Sequence, residues 1–237
     1  MLAAMTAHSL SATTHGRYLV REGEGGLLVG FHGYGESAEK HLAELEKIPG
    51  AESWMLVAVQ ALHRFYNQRT GEVIGSWMTS QDRELAIADN VAYVAAVVAA
   101  LPTRRPLVFA GFSQGAAMAY RVAVHIICDG LLILGGDLPP DVAGAPVIPS
   151  NARDLNRHAG GGDPSLPLGM TGAPHARGVT ELPILIGRGR TDDWYSAEKL
   201  EQDLRFLPQA QTCLFDGRHE WTDAFREAAG KFLASLG

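Results

Sequence analysis

Short, unbroken apolar runs recur along this chain, separated by stretches with the spacing of helices. Residues 27–31, 55–59, 107–110, 131–134 and 182–187 are each almost wholly apolar. A strand buried on both faces reads this way, because neither side of its pleat meets water. A more alternating stretch, 17–22, predicts an outer strand, and 212–215 predicts a short last one. Between these runs, 38–48 predicts a helix stopped by Pro49-Gly50, and 81–101 predicts the longest helix. In the latter, Ser80 or Thr79 stands ready as the cap, and Ile87, Val91, Val94 and Val98 form one stripe. Leu200, Leu204 and Leu207 mark a further helix capped by Ser196, and Phe225, Ala229, Phe232 and Leu236 mark a closing one. Strands alternating with helices predict a mostly parallel central sheet with helices on both faces.

Two stretches break the alternation. Residues 63–71 mix polar and aromatic side chains and read as an irregular loop leading to Ser76-Trp77-Met78. Residues 145–180 carry five of the twelve prolines and six glycines, with scattered charges and no period. A loop of that length is uncommon inside a compact domain, so it is expected to be a mobile flap or a tolerated insertion.

Composition narrows the function. A 237-residue chain with 46% hydrophobic residues suffices for one large α/β core, and the chain is read as a single domain, 1–237. The net charge of −6 leaves no basic field for a polyanion, which argues against nucleic acid as a partner. Cys128 and Cys213 are too few for a disulfide framework and fit a reducing compartment. The first twelve residues make a poor secretory signal, and no run approaches the length of a membrane span, so the expected location is cytoplasmic.

The chemistry centres on Gly111-Phe112-Ser113-Gln114-Gly115. Gly-x-Ser-x-Gly is expected by chance about 0.14 times in a chain with 27 glycines of 237 residues, so the bare match is moderate evidence. Its setting adds weight: an apolar run enters it and a small-residue helical pattern leaves it, the strand–turn–helix context of a nucleophile elbow. A serine hydroxyl is a weak nucleophile until a base takes its proton, and the base needs an acid to orient it. The order Ser113, Asp192, His219 supplies all three, the last two on loops after predicted strands. Parallel strands bring such loops to one edge of the sheet. Of nine histidines, His158 and His175 fall in the irregular stretch, a poor place for a fixed base. The residues alone leave the acid open between Asp192, its neighbour Asp193 and the remoter Asp137. The glycine-rich turn His32-Gly33-Tyr34-Gly35-Glu36 can aim backbone amides at one point, as the second half of an oxyanion hole.

The Gly-Phe-Ser-Gln-Gly elbow and the His-Gly-Tyr-Gly-Glu turn resemble the phospholipase/carboxylesterase family of α/β-hydrolases, which includes acyl-protein thioesterases and small bacterial carboxylesterases. Gly189-Arg-Thr-Asp192 is similar to the acid loop of that family, and Gly217-Arg-His219-Glu-Trp to its base loop. The resemblance implies an α/β-hydrolase fold with a long irregular insertion after its sixth strand. It favours Asp192 over Asp193. It also implies oxyanion donors at the backbone N–H groups of Tyr34 and Gln114, and a substrate pocket near Trp77, Met78 and Trp194. The implied activity is hydrolysis of a small-molecule carboxylic ester, with thioesters or lysophospholipids as alternative substrates, and it calls for no metal or organic cofactor. A non-catalytic binding protein on the same scaffold is the alternative of a different class. Glu36 departs from the pattern, since the family commonly has an aspartate there, and the 145–180 stretch has no counterpart in it.

Overall fold

In the computed structural model, which describes residues 5–143 and 178–237, seven strands form one sheet. In chain order these are β1 (Arg17–Arg21), β2 (Leu27–Phe31), β3 (Met55–Gln60), β6 (Leu107–Phe112), β7 (Gly130–Leu134), β8 (Ile184–Gly189) and β9 (Gln211–Phe215). The spatial order is β1-β3-β2-β6-β7-β8-β9. Only β1 runs antiparallel, and it closes one edge against β3.

Neighbouring residues of one strand serve opposite faces. Val29, Phe31, Val57, Phe109 and Ile133 pack with α2 (Arg83–Ala100), α3 (Gln114–Ala123) and α5 (Ala197–Phe206). Leu28, Leu56, Val108, Leu132 and Leu185 pack with α1 (Ala38–Leu45) and α6 (Asp223–Ala234). Both faces are therefore covered, which explains the unbroken apolar runs. Ser37, Ser196 and Thr222 cap α1, α5 and α6 by accepting the N–H groups of Lys40, Lys199 and Phe225.

Three expectations are corrected. Residues 63–71 open a hairpin, β4 (His63–Tyr66) paired antiparallel with β5 (Val73–Ser76). The strand β4 is exposed along its whole length, so it has no apolar alternation to announce it. Its turn is closed by Asn67, whose Oδ1 accepts from Arg69 and Thr70, and by Gly71 at φ 73°. Second, neither Ser80 nor Thr79 caps α2: the N-cap is Asp82, at φ 46°, with no side-chain cap bond. Third, the buried stripe of α2 is Ala86, Asn90, Val94 and Val97; Ile87, Val91 and Val98 are only partly buried beside it.

The irregular stretch follows β7 and the short α4 (Pro140–Ala143). Counting the hairpin, β7 is the seventh strand of the chain. Residues 145–177 of the stretch, with the flap expected there and His158 and His175, lie outside the described residues. Its last residues are packed structure: Val179–Glu181 form a 3-10 turn, and Val179 and Leu182 are buried.

Candidate active site

Because β2, β6, β7, β8 and β9 are parallel, their C-terminal ends share one edge, and the loops that leave them meet there. Chain order reverses direction across the sheet between β2 and β6. Loops on the two sides of such a switch diverge and leave a crevice.

Ser113 sits between β6 and α3 at φ 54°, ψ −118°. Few non-glycine residues hold such a conformation, and where they do it is commonly at a functional turn. Bare glycines allow it. A Cβ on Gly111 would overlap the Gly115 carbonyl and Ala116, and one on Gly115 would overlap the Phe31 carbonyl. The Ser113 amide is fixed by donating to the Leu134 carbonyl at 2.9 Å. Its hydroxyl makes no hydrogen bond among the described residues. Catalytic hydrogen bonds often tighten only when substrate is bound.

His219 stands on the loop between β9 and α6. Its Nδ1 is 2.8 Å from Asp192 Oδ2. A carboxylate only accepts, so Nδ1 carries the proton and Nε2 keeps its lone pair. Asp192 is buried, on the loop after β8, and its other oxygen accepts from the amides of Trp194 (2.8 Å) and Tyr195 (2.9 Å). Asp193 is exposed. The choice that the residues left open thus falls on Asp192 as the partner of His219. Thr191 ties the two loops through its N–H and hydroxyl, both donating to the Gly217 carbonyl. Gly135 lies against the imidazole, where a Cβ would be 2.9 Å from Cε1, and Gly136 lies against Ser113, where a Cβ would be 2.6 Å from its carbonyl oxygen. This glycine pair leaves room for the imidazole on one side and the Ser113 backbone on the other, and nothing in the sequence pointed to that role.

The turn after β2 holds itself in shape. Gly33 N donates to Glu36 Oε2 (3.0 Å), Gly35 N to the Gly75 carbonyl (3.0 Å) and Glu36 N to the Gly33 carbonyl (3.2 Å). Among the described residues the Tyr34 amide is left without a partner. So is the amide of Gln114, which as the first residue of α3 has no intrahelical acceptor. The Gln114 side chain is occupied elsewhere: Oε1 accepts from Trp77 N (2.8 Å) and Nε2 donates to the Met78 carbonyl (2.8 Å).

Trp77 and Met78, expected to line the pocket, are both buried. Trp77 is 0% exposed; its indole donates to the His32 carbonyl (2.8 Å) and its ring packs edge-on against Phe31. They support the turn from behind because their polar atoms are committed to His32 and Gln114. Trp194, by contrast, is 76% exposed, with its ring 6.5 Å from that of His219.

His32 is a further support that the sequence did not single out. It is buried, and its Nδ1 faces its neighbour's carbonyl, Gly33 O, at 2.7 Å. Nε2 accepts from the Ala61 amide at 3.1 Å, which makes Nδ1 the protonated nitrogen. Burial holds its pKa below the ordinary histidine value. Asn90, the polar centre of the α2 stripe, donates to the Trp77 carbonyl (2.9 Å) and so steadies the same support. Among the described residues no group of three or more His, Cys, Asp or Glu is placed to hold a metal ion, and no helix is long and apolar enough to cross a membrane.

A search of solved structures finds the same architecture at low identity. Acyl-protein thioesterase 2 of Zea mays superposes with a TM-score of 0.67 at 19% identity, over 94% of this chain and 100% of that one. The chain has the α/β-hydrolase fold. Esterase PE8 matches with a TM-score of 0.67 at 17% identity over 94% of this chain and 100% of its own. The Bacillus cereus carboxylesterase matches with a TM-score of 0.61 at 14% identity, over 94% and 95% of the two chains. No protein-family model and no curated protein sequence matches the chain. At these identities the likeness is one of fold, and the case for chemistry rests on the chain's own side chains.

Proposed function

We propose that the chain is a serine hydrolase of carboxylic esters, of the phospholipase/carboxylesterase kind, with Ser113, His219 and Asp192 as its triad. The observation that carries this reading is the His219–Asp192 pair beside the Ser113 elbow, with the imidazole Nε2 left as a base. In this reading Ser113 Oγ attacks the acyl carbonyl as His219 Nε2 takes its proton. The Tyr34 and Gln114 amides, free of other partners among the described residues, donate to the oxyanion of the tetrahedral intermediate. His219 then protonates the leaving alkoxide, and a water activated by the same nitrogen releases the acid. Asp192 orients the ring and stabilises the imidazolium. Trp194 lines the mouth of the pocket on the acid-loop side. The maize structure is named an acyl-protein thioesterase and two others are named esterases. The same triad serves both bond types, so the leaving group, sulfur or oxygen, is a matter of specificity.

The test is covalent labelling and turnover. A fluorophosphonate probe is expected to label Ser113 in the wild type. Ser113→Ala is expected to lose labelling and to lower p-nitrophenyl ester turnover on the order of a million-fold, with the thermal midpoint little changed. A clean Ser113→Ala protein that keeps more than a few per cent of turnover refutes the assignment, and a wild type that neither labels nor turns over leaves a binding protein on this fold.

A further inference from the structure

The one carboxylate buried on α5 belongs to Asp203. Isolated carboxylates are rarely buried, because the charge is removed from water, and burial pushes the pKa of this one up. Nearby charges act in both directions: Asp137 opposes its ionisation and Lys199 favours it. Its Oδ2 accepts two hydrogen bonds, from the Tyr195 hydroxyl at 2.8 Å and from the Leu138 amide at 3.0 Å. Those two donors belong to two of the loops that build the candidate site, the one after β8 and the one after β7.

Tyr195 is fully buried and anchored at three points. Its hydroxyl donates to Asp203, its carbonyl accepts from Arg188 Nε at 2.6 Å, and its amide donates to Asp192 Oδ1 at 2.9 Å. Its amide therefore has little freedom, and neither has the carboxylate that it holds. Leu138 follows Gly135 and Gly136, the glycine pair packed between the His219 ring and the Ser113 carbonyl. A single oxygen atom of Asp203 thus ties the acid loop to the loop beneath serine and base.

We propose that Asp203 is a positioning residue for the triad: through Tyr195 it sets the orientation of Asp192 towards His219, and through the Leu138 amide it holds the Gly135–Gly136 loop in place between His219 and Ser113. What the site needs from it is an acceptor at Oδ2. Its charge is incidental, which explains why a neutral replacement is informative. The inference rests on the triad reading above, and its test includes a measurement that does not depend on turnover.

Four variants decide it: Asp203→Ala, Asp203→Asn, Tyr195→Phe and the Asp203→Ala/Tyr195→Phe double. In Asp203→Ala and Tyr195→Phe, kcat on a small p-nitrophenyl ester is expected to fall about 10- to 100-fold with KM within about twofold, since a small misplacement of catalytic groups has that cost. The acid limb of kcat/KM is expected to move to lower pH by about half a unit or more, because a loosened Asp192 stabilises the His219 imidazolium less. The double variant is expected to be little worse than Asp203→Ala, as members of one network are not additive. Asp203→Asn keeps a carbonyl oxygen for both donors and is expected to stay within about fivefold of wild type, with the acid limb in place.

Independently of activity, the proton between His219 Nδ1 and Asp192 is followed by proton NMR. Its signal is expected to persist in Asp203→Asn and to broaden or vanish in Asp203→Ala and Tyr195→Phe. A lowered thermal midpoint with this signal and the acid limb unmoved would make Asp203 merely structural and overturn the proposal. Equal loss in Asp203→Asn and Asp203→Ala would overturn the acceptor argument. If Asp203→Ala does not fold, Tyr195→Phe, which removes one hydroxyl, decides alone. A wild type without turnover or probe labelling defeats the esterase reading, while the NMR signal still tests Asp203.

Discussion

Glu36 shows how one side chain selects which amides of a turn are left free. Its carboxylate takes up the Gly33 amide and pairs with Lys40 in the first turn of α1. With Gly33, Gly35 and Glu36 all donating within the scaffold, the Tyr34 amide is the one in this turn left without a partner among the described residues. An aspartate is the residue expected here from the family resemblance; the glutamate that stands here accepts the Gly33 amide. If this bond holds the oxyanion donor, Glu36→Ala should lower kcat about 10- to 100-fold, less than deleting a donor outright, with little change in KM. Glu36→Gln, which keeps an oxygen for Gly33, should lose far less. Steady-state kinetics on the two variants checks this. The residues themselves show a glycine-rich turn, and the family resemblance points to the Tyr34 amide; why that amide is left over depends on Gly75, in a hairpin some forty residues later.

At the scale of elements, α3 is pressed end-on against the turn after β2. Gly115 has the Phe31 carbonyl where a methyl would go, so the start of the helix touches backbone with nothing between. Gly115→Ala must push α3 away from β2 or distort the elbow. Overpacking of this kind costs about 1–3 kcal/mol, which for a domain of this size lowers the thermal midpoint by roughly 2–12 °C. Probe labelling of Ser113 is expected to slow as well, and calorimetry with a labelling time course reads both. The helix and its elbow were plain from the sequence, since local small-residue spacing encodes them. The α2 stripe was displaced for a different reason. Periodicity places polar residues outside, yet Asn90 is buried, with its side chain donating to the Trp77 and Ala86 carbonyls and accepting from the Leu62 amide. Asp203 escaped notice on α5 in the same way. The β4–β5 hairpin was hidden because an exposed strand has no buried side to shape its sequence.

For the whole molecule, the consequence to expect is acid lability. His41 lies between α1 and the sheet, fully buried against Gly30 and facing the Trp221 ring at 5.8 Å. Among the described residues neither ring nitrogen has a hydrogen-bond partner of good geometry; the Ala110 carbonyl favours the charged form slightly. Burial, with smaller repulsion from His32 and Lys40, lowers its pKa to about 3. The unfolded chain binds this proton near pH 6.5 and the folded chain only near 3, so stability rises with pH across that window and is lost as pH falls through it. At pH 5 the loss from His41 is about 2 kcal/mol relative to neutral pH, or roughly 4–8 °C. His41→Leu should shrink the difference in thermal midpoint between pH 7.5 and pH 5 by about that much. An equal pH difference in variant and wild type would show that His41 does not carry it.

What the sequence determined by itself is what local chemistry encodes. Apolar runs buried on both faces dictate parallel strands, small residues at 111, 115 and 116 permit the elbow, and chain order puts Ser113, an acid and His219 after β6, β8 and β9. What only the tertiary structure decided are matters of distance between segments remote in the chain. Asp192 rather than Asp193 meets His219 because the β8 and β9 loops are held together through Thr191 and Gly217. Trp77 and Met78 turn inward because Gln114 and His32 claim their polar atoms. Tyr195 ends the acid loop and Asp203 stands on α5, the helix that follows it, and nothing in their spacing marks them. Their role arises where Leu138, some sixty-five residues earlier, comes within a hydrogen bond of the same oxygen.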